Sequence, residues 1–336
     1  MRRPLNARRL IILSLGLGRD SVAMIVLLLA GKLLINGVLC GPRDVDGVCF
    51  SDPGAEWEHS YKLIARLRKM CETAGIPFYV LAKPPETGPL GWRQRLKDVA
   101  EGVVGIRSVP KWVQALKGAT IEQKAAGGYY HRRAPIMEDY RRTESITIRK
   151  SAGCTTNHKI RPINGRFMGD LCKQRFGLDN RGWAKAMKAG EREQHIVLIG
   201  YAADEAGRIK AVDGKAQKEN PCVVAAYPLV EAGINKADEA AILRTRRLNG
   251  TRKSGCVACH FQPNGWFWCL SVIDPAKFAE VVAYEATALA TNPKMFLRGD
   301  HPISEIVRRW RLRHPTATVD AVLDKSYDRP CGPKRK

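Results

Sequence analysis

The chain has 336 residues, a formal net charge of +23 and 45% hydrophobic residues. This length supports one domain with additions or two domains, and the apolar content excludes a disordered chain. The charge exceeds what a small-metabolite enzyme needs and points to nucleic acid or another polyanion. Ten cysteines at this length fit neither a disulfide scaffold nor a secreted protein, so cytoplasmic thiols, metal ligands or redox chemistry are expected.

The first predicted unit lies in "LIILSLGLGRDSVAMIVLLL", Leu10 to Leu29. Four arginines precede it, as in a secretory signal, but no small-residue cleavage site follows and Arg19-Asp20 cuts the apolar run. The charge also makes each half too short for a membrane span, so no membrane association is expected. A buried strand from Leu10 to Leu13, a glycine loop and a helix running towards Lys32 use every residue. Asp20 or Ser21 suits the helix cap. Gly16 and Gly18 allow a sharp turn and a close approach of backbone to a ligand, with N–H groups at the helix start facing an anion. The same glycines also fit a plain turn. Neither G-x-x-x-x-G-K-[ST] nor G-x-G-x-x-G is present here.

Gly37 to Phe50 carries a second β-rich run, and Asp52-Pro53-Gly54 turns at its carboxyl end. Glu56 to Ala74 reads as an amphipathic helix with Trp57, Tyr61, Ile64, Leu67 and Met70 on one side, stopped by Gly75. "PFYVLAK" is a third strand. The alternation predicts a doubly wound, mostly parallel α/β sheet with ligands outside the carboxyl ends of its strands.

Regularity ends after Pro84. From Gly91 to Arg166 there are 16 Lys plus Arg against 6 Asp plus Glu, interleaved with Trp92, Trp112, Tyr129 and Tyr130. Such a basic insertion, about 85–150, suits phosphate neutralisation and base stacking, or an insertion with a small aromatic core of its own. A buried strand follows at His195 to Tyr201. In "KSGCVACHFQPNGWFWC", Cys256 and Cys259 form a C-x-x-C that suits zinc, part of an iron–sulfur cluster or a redox dithiol. Cys256 to His260 also matches C-x-x-C-H, but haem attachment belongs to exported proteins. The expected division is 1–240 for the α/β domain and 241–336 for the cysteine element and a basic helical tail with Arg308, Arg309, Arg311 and Arg313.

Ser14 to Ser21, S-x-G-x-G-x-D-S, resembles the SGGxDS pyrophosphate loop of the PAPS reductase and ATP pyrophosphatase superfamily, with one extra residue as in phage and bacterial PAPS-reductase-like proteins. "SDPGAEW" is similar to that family's D-T-G-A-E, with Pro53 in place of Thr. "CTTNHKIRPI" is similar to C-T-x-x-x-K-I-x-P-I, "IGYAADEAGR" to I-G-x-x-x-D-E-x-x-R, and "KSGCVACHFQ" to K-S-G-C-x-x-C-P-F-Q, with His260 in place of Pro. These motifs run in the family's order from Leu10 to Leu270.

The resemblance implies the Rossmann-like adenine nucleotide alpha hydrolase fold and ATP with Mg2+. The implied binding residues are Ser14, Gly16, Gly18, Arg19, Asp20, Ser21, Asp52, Arg161, Gly200 and Asp204. Asp20, Ser21, Lys159 and Arg208 would be catalytic. Cys154 would join Cys256 and Cys259 at a [4Fe–4S] cluster or zinc, with Cys269 assigned as fourth ligand and Cys172, Cys222 and His260 as other candidates. The implied activity is adenylation with release of pyrophosphate, followed by sulfur transfer, with tRNA or DNA as acceptor for thiolation or phosphorothioation and a sulfur donor such as a cysteine desulfurase as partner. Monomer and dimer both stay open. A sulfonucleotide reductase using Cys331, and a non-catalytic nucleic-acid-binding relative, are the alternatives.

Overall fold

The computed structural model describes residues 4–82, 118–131, 135–137, 153–209 and 220–325. Five parallel strands form its sheet: β1 (Ile11–Leu15), then, beyond the hairpin of β2 (Leu33–Ile35) and β3 (Val38–Cys40), β4 (Gly47–Ser51), β5 (Phe78–Leu81), β6 (His195–Ile199) and β7 (Val223–Ala226). Their order is β5-β4-β1-β6-β7. The chain therefore winds outward from β1 to β5, then returns to the other side of β1. This reversal opens a crevice at the carboxyl ends of β1 and β6, where Ser14 is flanked by Cys49 and Ile199.

Period-two alternation explains why β1 is apolar throughout. Ile11, Leu13 and Leu15 enter one core, while Leu10 and Ile12 enter the core on the opposite face. Each such side chain, fully buried, contributes about 1.5–3 kcal/mol. The first face is covered by α1 (Arg19–Leu29) and α2 (Glu58–Thr73). The second is covered by α3 (Ile121–Ala126), α4 (Met168–Phe176) and α5 (Asn180–Lys188). Helices on both faces of a parallel sheet make the fold a doubly wound α/β, as the sequence predicts.

Beyond β7, a short α6 (Pro228–Glu231) leads to α7 (Lys236–Arg244). Leu243 and Leu248 still belong to the first sheet core. A separate core then forms around α8 (Asn264–Ile273), with α9 (Pro275–Thr291), α10 (Ile303–Arg313) and α11 (Val319–Lys325) packed about it. Trp266, Phe267, Trp268, Cys269 and Leu270 are all buried, because a helix apolar on every side needs neighbours on every side. Ala55 and Trp57 join this core, and Trp57 Nε1 donates to Gln262 Oε1 at 3.1 Å. The turn after β4 thus belongs to both units. Trp57 leaves the helix face expected for it, whereas Tyr61, Ile64, Leu67 and Met70 pack on the sheet.

Most of the basic segment, including Trp92, Trp112, Arg132, Arg133, Arg141 and Arg142, lies outside the described residues, as does Cys331. Tyr130 corrects the stacking expectation. It is 2% exposed, packs its ring 5.4 Å from that of Phe167, and donates its hydroxyl to Asp170 Oδ2 at 3.0 Å. Among the described residues, no helix is long and apolar enough to cross a membrane.

Candidate functional site

A cleft of about 310 Å³ opens at the carboxyl ends of β1, β4 and β6. Ser14, Gly16, Gly18, Arg19, Asp20, Ser21 and Gly200 line it. The start of the helix differs from the expectation. Helix α1 begins at Arg19 with Gly18 as its cap residue, and no side chain caps it. Ser21 instead ties the loop: its Oγ accepts from Gly16 N at 3.1 Å and donates to Gly18 O at 3.1 Å. The left-handed residue is Leu17, at φ 59°, not either glycine. Leu17 holds that costly conformation with its side chain fully buried, so packing fixes the loop.

Gly18 is required for close approach. A Cβ there would lie 3.0 Å from Ser254 Oγ and 3.3 Å from Ser254 N. Gly200 meets α1 in the same way, since its Cβ would lie 2.8 Å from Ser21 N. Ser254 belongs to a strap, residues 251–257, that crosses the loop. Arg19 Nε donates to Thr251 O at 2.7 Å, and Val257 N donates to Ala55 O at 2.8 Å. Lys253 and Ser254 both line the cleft. The cysteine element is therefore continuous with the roof over the glycine loop.

Glu56 joins these parts. Its side chain is fully buried, with Oε1 accepting from Lys159 Nζ at 3.0 Å and Oε2 accepting from Gly255 N at 2.9 Å. Lys159 lines the cleft from the π-helical turn Thr156–Ile160. Ser51 Oγ, at the end of β4, donates to His158 O at 2.7 Å and anchors that turn. Burial disfavours the Lys159 ammonium, but the Glu56 carboxylate more than offsets this and holds it charged above the usual lysine range. Cys256 and Cys259 add to the same effect.

The lining cations are Arg19, Lys159, Lys236 and Lys253, set against Asp20 and Glu205. With the uncapped start of α1, this arrangement suits a chain of phosphates. Lys236 lies 3.8 Å from Glu205 and 3.6 Å from Asp204. Three expected binding residues lie away from the cleft wall. Asp52 Oδ1 instead accepts from Tyr61 Oη and Gly54 N, each at 2.7 Å. Burial, then Asp52, holds the Tyr61 phenol well above its usual range, so it remains a donor. Arg161 is exposed and donates to Asn157 Oδ1 at 2.7 Å. Asp204 is exposed, and the buried Glu205 beside it takes the cleft position. The Arg208 side chain lies outside what is described.

Among the cysteines, Cys154 and Cys256 each pack against the C-terminal core. Burial pushes the Cys256 thiol well up, and Cys259, Glu56 and Cys154 add to that. Thiol donors of this type fit a thiophilic metal. Among the described residues, no three His, Cys, Asp or Glu side chains are disposed to hold a metal ion.

Cys269, assigned as fourth ligand, instead directs its Sγ to Val319 O at 3.8 Å on α11. Cys172 and Cys222 sit in the core behind the sheet, among its second-face residues. Glu56, Lys236, Lys253 and Ser254 were not legible as site residues. Glu56 and Lys253 stood inside quoted motifs, but nothing local distinguished them from ordinary charged positions. Comparison with known protein families, with curated proteins and with solved structures gave no match.

Proposed function

We propose that the chain is an ATP pyrophosphatase-type enzyme of the adenine nucleotide alpha hydrolase fold, which adenylates a polynucleotide for sulfur transfer. ATP with its Mg2+ is the substrate. An acceptor oxygen attacks the α-phosphorus and forms a P–O bond as the bridging bond to the β-phosphate breaks. Pyrophosphate then leaves into the Ser14–Ser21 loop. Arg19, Lys159, Lys236 and Lys253 carry its charge, and fixed donors of this kind stabilise charge that grows in the transition state. At a base carbonyl, a sulfur nucleophile at the sulfide level then forms a C–S bond as the C–O bond to adenylate breaks, without need of an electron donor. Cys154, Cys256 and Cys259 are the residues that would hold a [4Fe–4S] cluster or zinc, which when bound supplies a seat for sulfide.

The reading rests on one observation above the rest: cations from four remote segments converge on an uncapped helix start at the sheet's reversal point. Product analysis tests it. Incubation with ATP labelled at the α-phosphate and with tRNA or DNA yields AMP, free or attached to the polynucleotide, together with pyrophosphate. ADP and inorganic phosphate as the products would overturn it.

A further inference from the structure

A second cavity, of about 320 Å³, lies in the C-terminal unit and shares no lining residue with the strand-end cleft. Asn264, Arg298, Asp300, His301, Arg309 and Arg313 line it. Three guanidinium groups against one carboxylate leave a net positive wall. Arg298 is fixed in place, with Nε donating to Asn264 Oδ1 at 2.7 Å and Nη1 to His260 O at 2.7 Å. His260 directly follows Cys259, so this arginine hangs from the loop whose other end roofs the cleft.

Arg309 and Arg313 stand one turn apart on α10, and both are exposed. Arg309 Nη1 meets His301 Nε2 at 2.9 Å, and its Nε donates to Glu305 Oε1 at 2.6 Å. Glu305 also takes Arg308 and stands outside the cavity lining.

A guanidinium carries more N–H donors than these bonds use, so it can be fixed by the protein and still donate to a phosphate. The aromatic rings nearby are already engaged. Trp310 stacks on Trp268 with centroids 4.9 Å apart and on His314 at 4.4 Å. The surface therefore offers phosphate contacts rather than platforms for bases. We propose that this cavity seats a phosphodiester of the polynucleotide acceptor, held by Arg298, Arg309 and Arg313 beside the thiol loop. The proposal rests on the nucleic-acid acceptor named above, but not on the adenylation chemistry.

The test uses the full chain and the double variant Arg309→Ala/Arg313→Ala, whose exposed positions spare the core; a thermal melt checks the fold. Anisotropy titrations of a single-stranded RNA and a single-stranded DNA across a salt series give the slope of log affinity against log salt. Loss of the seated phosphate contact reduces that slope by about 0.7. A control, Arg308→Ala/Arg311→Ala, removes the same charge from the same helix outside the cavity and changes the slope less. ATP affinity measured without acceptor stays at the wild-type value in both variants.

An unchanged slope in the Arg309/Arg313 variant, or an equal change in the control, overturns the cavity assignment. So does saturable binding of inorganic phosphate that is lost in the variant while oligonucleotide affinity is kept, since the seat would then serve free phosphate. Failure of the wild-type chain to bind any polynucleotide would instead remove the acceptor reading itself.

Discussion

Glu56 and Lys159, 103 residues apart, meet at 3.0 Å, and the second oxygen of the same carboxylate holds Gly255 N at 2.9 Å. One buried side chain thus fixes both the lysine that faces the cleft and the strap that carries Cys256. Glu56→Gln keeps the shape but removes the charge, and leaves Lys159 beside a neutral amide. Because Lys159 is partly exposed, the expected loss is about 1–3 kcal/mol, below that of a fully buried pair. Urea unfolding measures it. Pyrophosphate release should fall in the same variant, and fall further in Lys159→Ala, which removes the cation itself.

The two loop glycines separate cleanly. A Cβ at Gly16 would find its nearest neighbour, Ser254 Oγ, at 3.7 Å, an ordinary contact. At Gly18 the same atom would stand at 3.0 Å, with strap backbone at 3.3 Å. Gly16→Ala should therefore keep most ATP binding. Gly18→Ala should weaken it several-fold, and Gly18→Val should abolish it while the sheet still folds. Circular dichroism and ATP titration of the three variants distinguish them.

Two buried histidines set the response to acid. His195 Nδ1 accepts from Leu10 N at 3.0 Å, so the neutral ring carries its proton on Nε2. Burial, then Arg9, lowers its pKa to about 4. Burial also lowers His131 to about 4, against its hydrogen bond to Leu81 O. The unfolded chain takes up these protons near pH 6.5. Stability is therefore full above that value and falls as pH drops towards 4. Asp46, raised to about 6 mainly by burial, works the other way over pH 6 to 4. Two histidines against one aspartate leave a net loss of about 3 kcal/mol. Urea midpoints at pH 7.5, 6 and 5 follow it, and His195→Asn should flatten the profile.

The thiols divide by position. Serine at Cys154, Cys256 or Cys259 should remove most metal from anaerobically purified protein, because such ligands are interdependent. Cys269→Ser, Cys172→Ser and Cys222→Ser should keep it. Iron, zinc and sulfide analysis reads both groups.

The strand–loop–helix units were legible because they are written locally, in apolar runs stopped by glycine and charge. The mostly parallel sheet followed from their alternation. The loop's inner geometry was not legible: nothing local marks Leu17 as the residue at positive φ, where packing places it. Lys236, Lys253, Ser254 and Glu56 gain their roles only when strands far apart in sequence become neighbours. At Asp204-Glu205, sequence gives two adjacent carboxylates, and only burial decides which one faces the cleft. Tyr130 shows the same limit, since an aromatic among basic residues reads as a stacking platform until Phe167 and Asp170 enclose it.

The central claim is reversible transfer of an adenylyl group with pyrophosphate held in the Ser14–Ser21 loop. Pyrophosphate–ATP exchange measures that step apart from sulfur chemistry. With ATP, Mg2+, labelled pyrophosphate and a polynucleotide acceptor, the account predicts label entering ATP in the wild-type chain and little or none in Lys159→Ala or Gly18→Val. Exchange that is undiminished in those two correctly folded variants, or ATP consumed only to ADP and phosphate, would contradict it.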